Sequence, residues 1–247
     1  MFSGNLQAFQ TFSLYELDST NLLMKNRFEA KYYFHLSQLD RILEACQNKY
    51  NILEIDDRLI FDYQNRYFDT KDFQLYYKHH NGKAERYKIR QRVYLNSQLS
   101  FFEVKQKTKK GITNKYRQEG ESIENAANFL QSHINLDYKQ LIPTLENQYK
   151  RITLLHKKNE EKVTIDINLN FVSGENKIAL NQIAIAEVKS ESYSGTDFSK
   201  IMKSLEIREG GMSKYCMGMI ALSIPVRHNL FNQSYKQILK KNTDGIK

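Results

Sequence analysis

Apolar and polar positions alternate with a period of two along much of this chain, the pattern of strands with one buried face. "KNRFEAKYYF" (25–34) sets Arg27, Glu29 and Lys31 against Phe28, Ala30, Tyr32 and Phe34. "LIFDYQNRYFDT", "ERYKIRQRVY", "LSFFEVKQKT", "NKYRQEGE", "KVTIDINLNF" and "NQIAIAEVKS" predict further strands. In "KVTIDINLNF" the alternation is clean, with Val163, Ile165, Ile167, Leu169 and Phe171 on one face and Asp166 among the polar residues of the other. A helical period predicts a helix over 37–48, with Ser37 as N-cap and Leu39, Ile42, Leu43 and Cys46 as its apolar stripe. Others are expected after residue 71, ending at Gly82, over 121–133, over 136–157 with a break at Pro143, and over 196–206, 214–222 and 232–241. His79 and His80 read as solvated loop residues. The first twenty residues read as a lead-in with a short amphipathic helix. No linker, repeat or low-complexity tract divides the chain, so one α+β domain is expected.

One design recurs in these strands. "ERYKIRQRVY" puts Arg86, Lys88, Arg90 and Arg92 on one face and Tyr87, Ile89 and Val93 on the other, with Gln91 the one polar residue there. Same-face neighbours lie roughly 6.6–7 Å apart. At that distance two like charges repel by about 0.6 kcal/mol in water and about 2.5 kcal/mol at an effective dielectric near 20. Four cations in a row are therefore tolerable when solvated and costly when enclosed. The faces Glu103/Lys105/Lys107, Lys115/Arg117 and Glu187/Lys189 repeat the theme. Ordinary one-sided burial would point these faces at solvent. A sheet closed into a barrel would instead turn them inward, where only anions could balance them. Phosphates would then meet Arg forks and Lys ammonium groups, and the few carboxylates could hold a divalent metal.

Charge favours an anionic partner. The 247 residues carry 37 Lys and Arg against 28 Asp and Glu, a net charge of +9, and 40% hydrophobic residues supply a core. Nucleic acid, an acidic membrane surface and a polyphosphorylated ligand all fit that balance. The aromatics alternate away from the basic faces, so base stacking on nucleic acid is not expected. Cys46 and Cys216 lie far apart, which predicts neither a disulfide framework nor a zinc site. Nothing reads as a secretory signal or a membrane span, so a cytoplasmic location is expected.

The motifs resemble those of the VTC (vacuolar transporter chaperone) domain, the polyphosphate polymerase branch of the triphosphate tunnel metalloenzymes. The matching pieces are "LLMKNRFEAKYYF", "NRYFDTKDFQLYYKHHNGKAERYKIRQRVY", "FFEVKQKTKKGITNKYR", "LENQYKRITL", "VTIDINLNF", "IAIAEVKS" and "GGMSKYCMGM". They cover roughly 22–222, leaving 1–21 as lead-in and 223–247 as a helical tail. The resemblance implies a closed antiparallel β-barrel tunnel with amphipathic helices outside. It implies transfer of the ATP γ-phosphoryl group to inorganic polyphosphate, with Mn²⁺ or Mg²⁺. Carried over by motif, Arg90, Arg92, Lys105 and Lys214 would act on the transferred group. Lys31, Tyr149, Arg151, Lys189 and Ser213 would bind phosphate, and Glu187 would hold the metal. Arg86, Lys88, Lys107, Lys115 and Arg117 share the charged faces and are expected to line the bore and bind phosphate there. Glu103 is expected to orient a neighbouring cation, and Asp166 to make a structural hydrogen bond. A separate membrane protein is the partner that coupling to transport would call for.

The sequence departs from the family at Gly210 and Gly211, where a further basic residue is common, and at Lys162, where Arg is usual. "RFEAKY" carries one carboxylate where hydrolytic relatives show a pair, which speaks against the triphosphatase and cyclase branch. A tunnel hydrolase of triphosphate or nucleoside triphosphate, and a non-catalytic module binding polyphosphate or inositol polyphosphate, remain the alternatives.

Overall fold

The computed structural model describes residues 6–19, 28–191 and 195–243. Arg27, expected on the first charged face, lies outside the described residues. The strands are β1 (Thr11–Phe12), β2 (Phe28–His35), β3 (Tyr50–Leu53), β4 (Phe61–Asp69), β5 (Arg86–Tyr94), β6 (Leu99–Lys107), β7 (Thr113–Glu119), β8 (Ile142–His156), β9 (Glu161–Ser173), β10 (Asn176–Leu180), β11 (Ile183–Ser190) and β12 (Glu209–Gly210). The helices are α1 (Leu14–Ser19), α2 (Leu39–Cys46), α3 (Gln74–His80), α4 (Ala127–His133), α5 (Asp197–Ser204), α6 (Lys214–Ala221) and α7 (Asn232–Thr243). None of these helices is long and apolar enough to cross a membrane.

One sheet runs β12-β2-β11-β9-β8-β4-β5-β6-β7, antiparallel throughout this path. The expected closed barrel is not formed by backbone pairing: among the described residues β7 and β12 are edges with no ladder between them. The outer edge of β2 is taken by β12 instead, through Glu209↔Tyr32 and Gly210↔Lys31. The sheet nevertheless curls far enough for Glu29 of β2 and Lys105 of β6 to line one cavity.

Two cores cover the convex side. Tyr32, Phe34, Ile152, Leu154, Val163, Ile165, Ala186 and Val188 pack against the apolar stripes of α2 and α5. Tyr87, Ile89, Phe102 and Val104 pack against Phe129 and Leu130 of α4. A third cluster fills one end of the concave side, where Tyr33, Tyr67, Leu145, Phe171 and Ile185 meet Tyr215, Met217 and Met219 of α6. Ile238 of α7 joins it. The buried Asp69 ties this end together. Its carboxylate accepts from Leu75 N and Tyr76 N in the first turn of α3 and from the Tyr215 hydroxyl, each at 2.8 Å.

Gly218 lets α6 approach so closely. A Cβ there would stand 2.5 Å from a Phe171 ring carbon and 2.7 Å from a Leu145 methyl. Gly218→Ala should therefore lower the melting temperature. Overpacking costs about 1–3 kcal/mol and outweighs the helix propensity gained, because neither buried neighbour has room to move. A raised melting temperature would contradict this packing.

Four local expectations are corrected. Residues 142–156 form a fifteen-residue strand rather than a helix. Its Leu, Glu, Gln, Lys and Arg favour helix in isolation, but pairing on both edges overrides that preference. Pro143 is tolerated near its start. β9 does not alternate cleanly, since a bulge opposite Tyr149 places Asn168 at φ 55°. Val163, Ile165 and Ile167 consequently face the convex core, while Leu169 and Phe171 face the concave cluster. Ser37 is not the cap of α2, for it lies inside a 3₁₀ turn, Leu36–Gln38, that the His35 side chain caps. His80 is buried in the last turn of α3, its ring against Tyr76 and Phe231, and the His79 ring packs on Phe231.

Candidate anion-binding site

Curling brings the charged faces of six strands and the start of α6 onto one concave surface. In cross-strand register, Arg90 stands opposite Tyr67 and Glu103, Arg92 opposite Asn65 and Phe101, and Lys88 opposite Lys105. Glu187 stands opposite Lys31, and Arg151 opposite Asp166. Four carboxylates then organise most of the cations.

Glu103 accepts from Arg90 Nε at 2.7 Å, and Arg92 lies 3.7 Å from its other oxygen. Burial alone would raise its pKa, but Arg90 and Arg92 overcome this and pull it down to about 2. Arg92 Nε also donates to Asn65 Oδ1 at 3.0 Å, and the Asn65 amide donates to Asn147 Oδ1 at 2.9 Å. The remaining Asn147 amide group is a buried donor with no partner among the described residues.

Asp166, 2% exposed, receives both Arg151 Nε at 2.6 Å and Arg151 Nη2 at 2.8 Å, and also pairs with Lys214. Burial works against its ionised form, yet Arg151 and Lys214 hold it below the usual carboxylate range. The Tyr149 ring stacks on Tyr63 at 5.4 Å, with Arg151 and Lys214 over its face at 5.2 and 4.7 Å. Burial would raise the phenol's pKa, but Arg151, Arg92 and Lys214 hold it below its ordinary value, which polarises the hydroxyl as a donor. Ser213 Oγ caps α6 by accepting from Cys216 N at 3.2 Å, leaving its proton to donate.

Glu187 pairs with Lys189 at 2.7 Å and Lys31 at 3.3 Å, and Lys31 also pairs with Glu29. Register sets Glu29 beside Lys189 and Lys31 beside Glu187, so two carboxylates and two ammonium groups form one square.

Lys88 and Lys105 differ from the rest. Neither makes an ion pair or side-chain hydrogen bond among the described residues, and both line a cavity of about 420 Å³ with Arg86, Lys107 and Glu29. Burial, with Lys105, Arg90 and Lys31 around it, pushes the Lys88 pKa down to about 7. Burial also holds Lys105 below the usual lysine range, although Glu187 opposes this. The cations on this surface outnumber Glu29, Glu103, Asp166 and Glu187, and their excess is concentrated at Lys88 and Lys105.

Of the residues singled out in the sequence, Lys31, Lys88, Arg90, Arg92, Lys105, Tyr149, Arg151, Glu187, Lys189, Ser213 and Lys214 come together here. Arg86 and Lys107 line the cavity mouth. Lys115 is exposed on the edge strand β7, while Arg117 lies on the Phe101 ring. Sequence reasoning missed Asn65, Asn147 and the pairing of Glu29. The alternation of "FDYQNRYFD" was the signal for Asn65, since it shares a face with Tyr63 and Tyr67. The expected segregation of aromatics from the basic faces is also corrected: Tyr63, Tyr94, Phe101 and Tyr149 are on the cationic face, where Arg92 lies 5.5 Å over Tyr63 and Arg117 over Phe101. Gly210 has a steric reason, for a Cβ there would meet the Tyr33 ring at 2.7 Å.

The sequence model of the VTC domain matches residues 26–223. Among solved structures, a proposed adenylate cyclase from Bacillus halodurans superposes with a TM-score of 0.52 at 16% identity, over 77% of this chain and 95% of that one. A proposed adenylyl cyclase from Hippeastrum, described as having a dominant triphosphatase activity, gives a TM-score of 0.46 at 13% identity, over 79% and 96%. The first likeness is one of fold alone. No curated protein matches the sequence.

Proposed function

The chain belongs to the VTC domain family, and from that premise we propose that it is a triphosphate tunnel protein acting as a metal-dependent polyphosphate polymerase. It transfers the γ-phosphoryl group of ATP to a growing polyphosphate chain within the curled sheet, which serves as the tunnel. The observation that carries this reading is the excess of cations on one concave surface, with Lys88 and Lys105 side by side on one cavity and without an ion-pair partner among the described residues, an arrangement that an anion of several charges would balance. Arg90, Arg92 and Arg151 keep their forks aligned through Glu103, Asn65 and Asp166, which suits them to grip phosphate oxygens. Positioning and charge neutralisation are most of what phosphoryl transfer asks of a protein. A terminal phosphate of the acceptor attacking in line needs no protein nucleophile.

The Glu29–Lys31–Glu187–Lys189 square fits Mg²⁺ or Mn²⁺. Such ions take one or two carboxylates and draw their other oxygens from phosphates and water. Among the described residues no cluster of three or more His, Cys, Asp or Glu side chains offers a fuller protein cage. Glu187 with Glu29 would hold the ion, which when bound neutralises charge between phosphates. Lys31 and Lys189 would then turn from the carboxylates to phosphate oxygens.

Purified protein incubated with ATP and Mn²⁺ should release ADP and accumulate acid-insoluble polyphosphate, and both Arg90→Ala and Glu187→Ala should lose at least about a hundredfold in rate. Free phosphate in place of polymer would establish the hydrolase. Tight polyphosphate binding without turnover, abolished by Arg90→Ala, would make the protein a receptor.

A further inference from the structure

The aromatic residues of the cationic face gather at one end of β5 and β6. The Tyr94 ring lies 5.0 Å from Tyr63 and 6.0 Å from Phe101. The Arg117 guanidinium lies 3.5 Å over Phe101, 5.4 Å from Tyr94, and donates to the Tyr94 hydroxyl at 3.3 Å. Tyr63 in turn lies beneath Arg92 and Arg151, at 5.5 and 5.0 Å. The aromatic surface thus begins where the forked cations end. The opposite end of the same two strands carries Arg86, Lys88, Lys105 and Lys107 instead.

This asymmetry has chemical meaning. Phosphate alone has no use for Phe101, which offers neither charge nor hydrogen bond, yet its ring and that of Tyr94 are only half-buried. Flat π-faces and guanidinium planes are what nucleobases stack on. Arg117 already stacks on Phe101, so its outer plane extends that platform by one layer.

We propose that Tyr94, Phe101 and Arg117 form a nucleobase-stacking subsite, which holds the purine of a nucleoside triphosphate while Arg92 and Arg151 hold its phosphates. The inference rests on the reading of the curled sheet as a triphosphate site. It moves Arg117 from phosphate binding to base recognition. It also gives the bore a direction: the base stays at the Tyr94 end, and the terminal phosphate points toward Lys88 and Lys105.

Calorimetric titration of ATP and of tripolyphosphate, each with Mg²⁺, into the parent, Tyr94→Ala and Phe101→Ala separates base from phosphate recognition. The ratio of ATP to tripolyphosphate affinity should fall about tenfold in either variant, with tripolyphosphate affinity unchanged. Tyr94→Leu keeps apolar bulk and should show the same fall, and thermal melts confirm that each variant is folded. An unchanged ratio in folded variants, or an equal loss for both ligands, would overturn the subsite and leave the triphosphate site standing. If the parent binds neither ligand, the triphosphate reading falls and the subsite with it. Because the chain contains no Trp, stacking can also be followed by quenching of a 2-aminopurine nucleoside triphosphate, and either alanine variant should reduce that quenching.

Discussion

Asp166→Ala should destabilise the protein by about 3–5 kcal/mol, the typical cost of removing one member of a buried charge cluster. The carboxylate has two cationic partners, Arg151 through two hydrogen bonds and Lys214 through a third contact, and its loss leaves both without their counter-charge. Urea denaturation measures the effect, and a loss below about 1 kcal/mol would mean that solvent already screens the cluster. Asp166→Ala with Arg151→Met should recover part of the loss, since the second change removes one stranded charge. Saturating tripolyphosphate should raise the melting temperature of Asp166→Ala more than that of the parent, because the ligand replaces the missing anion. The acid limb follows the same logic. Glu103 and Asp166 are both depressed in the folded protein, so their contribution is complete above the unfolded carboxylate range near pH 4. For Glu103 it is lost as pH falls from about 4.5 toward about 2.

Lys88→Met should act in the opposite sense on stability and strongly on binding. The ammonium is largely enclosed and has no ion-pair partner among the described residues, and replacing such a charge by an apolar side chain of similar length stabilises by about 1 kcal/mol or more. For a chain of this size that is about 2–4 °C in melting temperature. The same variant should bind tripolyphosphate about ten- to a hundredfold more weakly, the worth of a charge-assisted contact. The pH dependence carries a further signature. Between about pH 7 and 10.5 the unfolded chain keeps the Lys88 proton and the folded one releases it, so the parent gains stability as pH rises through that window. Lys88→Met should flatten that rise. A bound polyanion restores the proton, so at pH 8.5 binding should take up about one proton in the parent and less in the variant. Calorimetry in two buffers of different ionisation heat reads the difference directly. Equal proton uptake in both proteins would show that Lys88 does not face the ligand.

A stability rise coupled to a loss of affinity is the expected mark of a residue kept for function. Lys105, in the same cavity and also depressed, should behave alike but more weakly, being more open to solvent.

The chain's local pattern determined the character of the site. Alternation with a period of two is a property of neighbouring residues, so "ERYKIRQRVY" and "FFEVKQK" disclosed their cationic faces without any knowledge of partners. The motifs that carry the family resemblance were legible for the same reason. Only the tertiary structure decided which carboxylate neutralises which cation. Arg151 and Lys214 meet at Asp166 across sequence separations of 15 and 48 residues, and no local period encodes that meeting. Residues 142–156 read as helix because their intrinsic preference is helical, and pairing on both edges made them a strand. The bulge at Asn168 turned Leu169 and Phe171 inward, against the alternation of the strand that contains them. The seam between β7 and β12 was likewise beyond sequence reasoning, because β2 had one edge to offer and Glu209–Gly210, distant in the chain, took it.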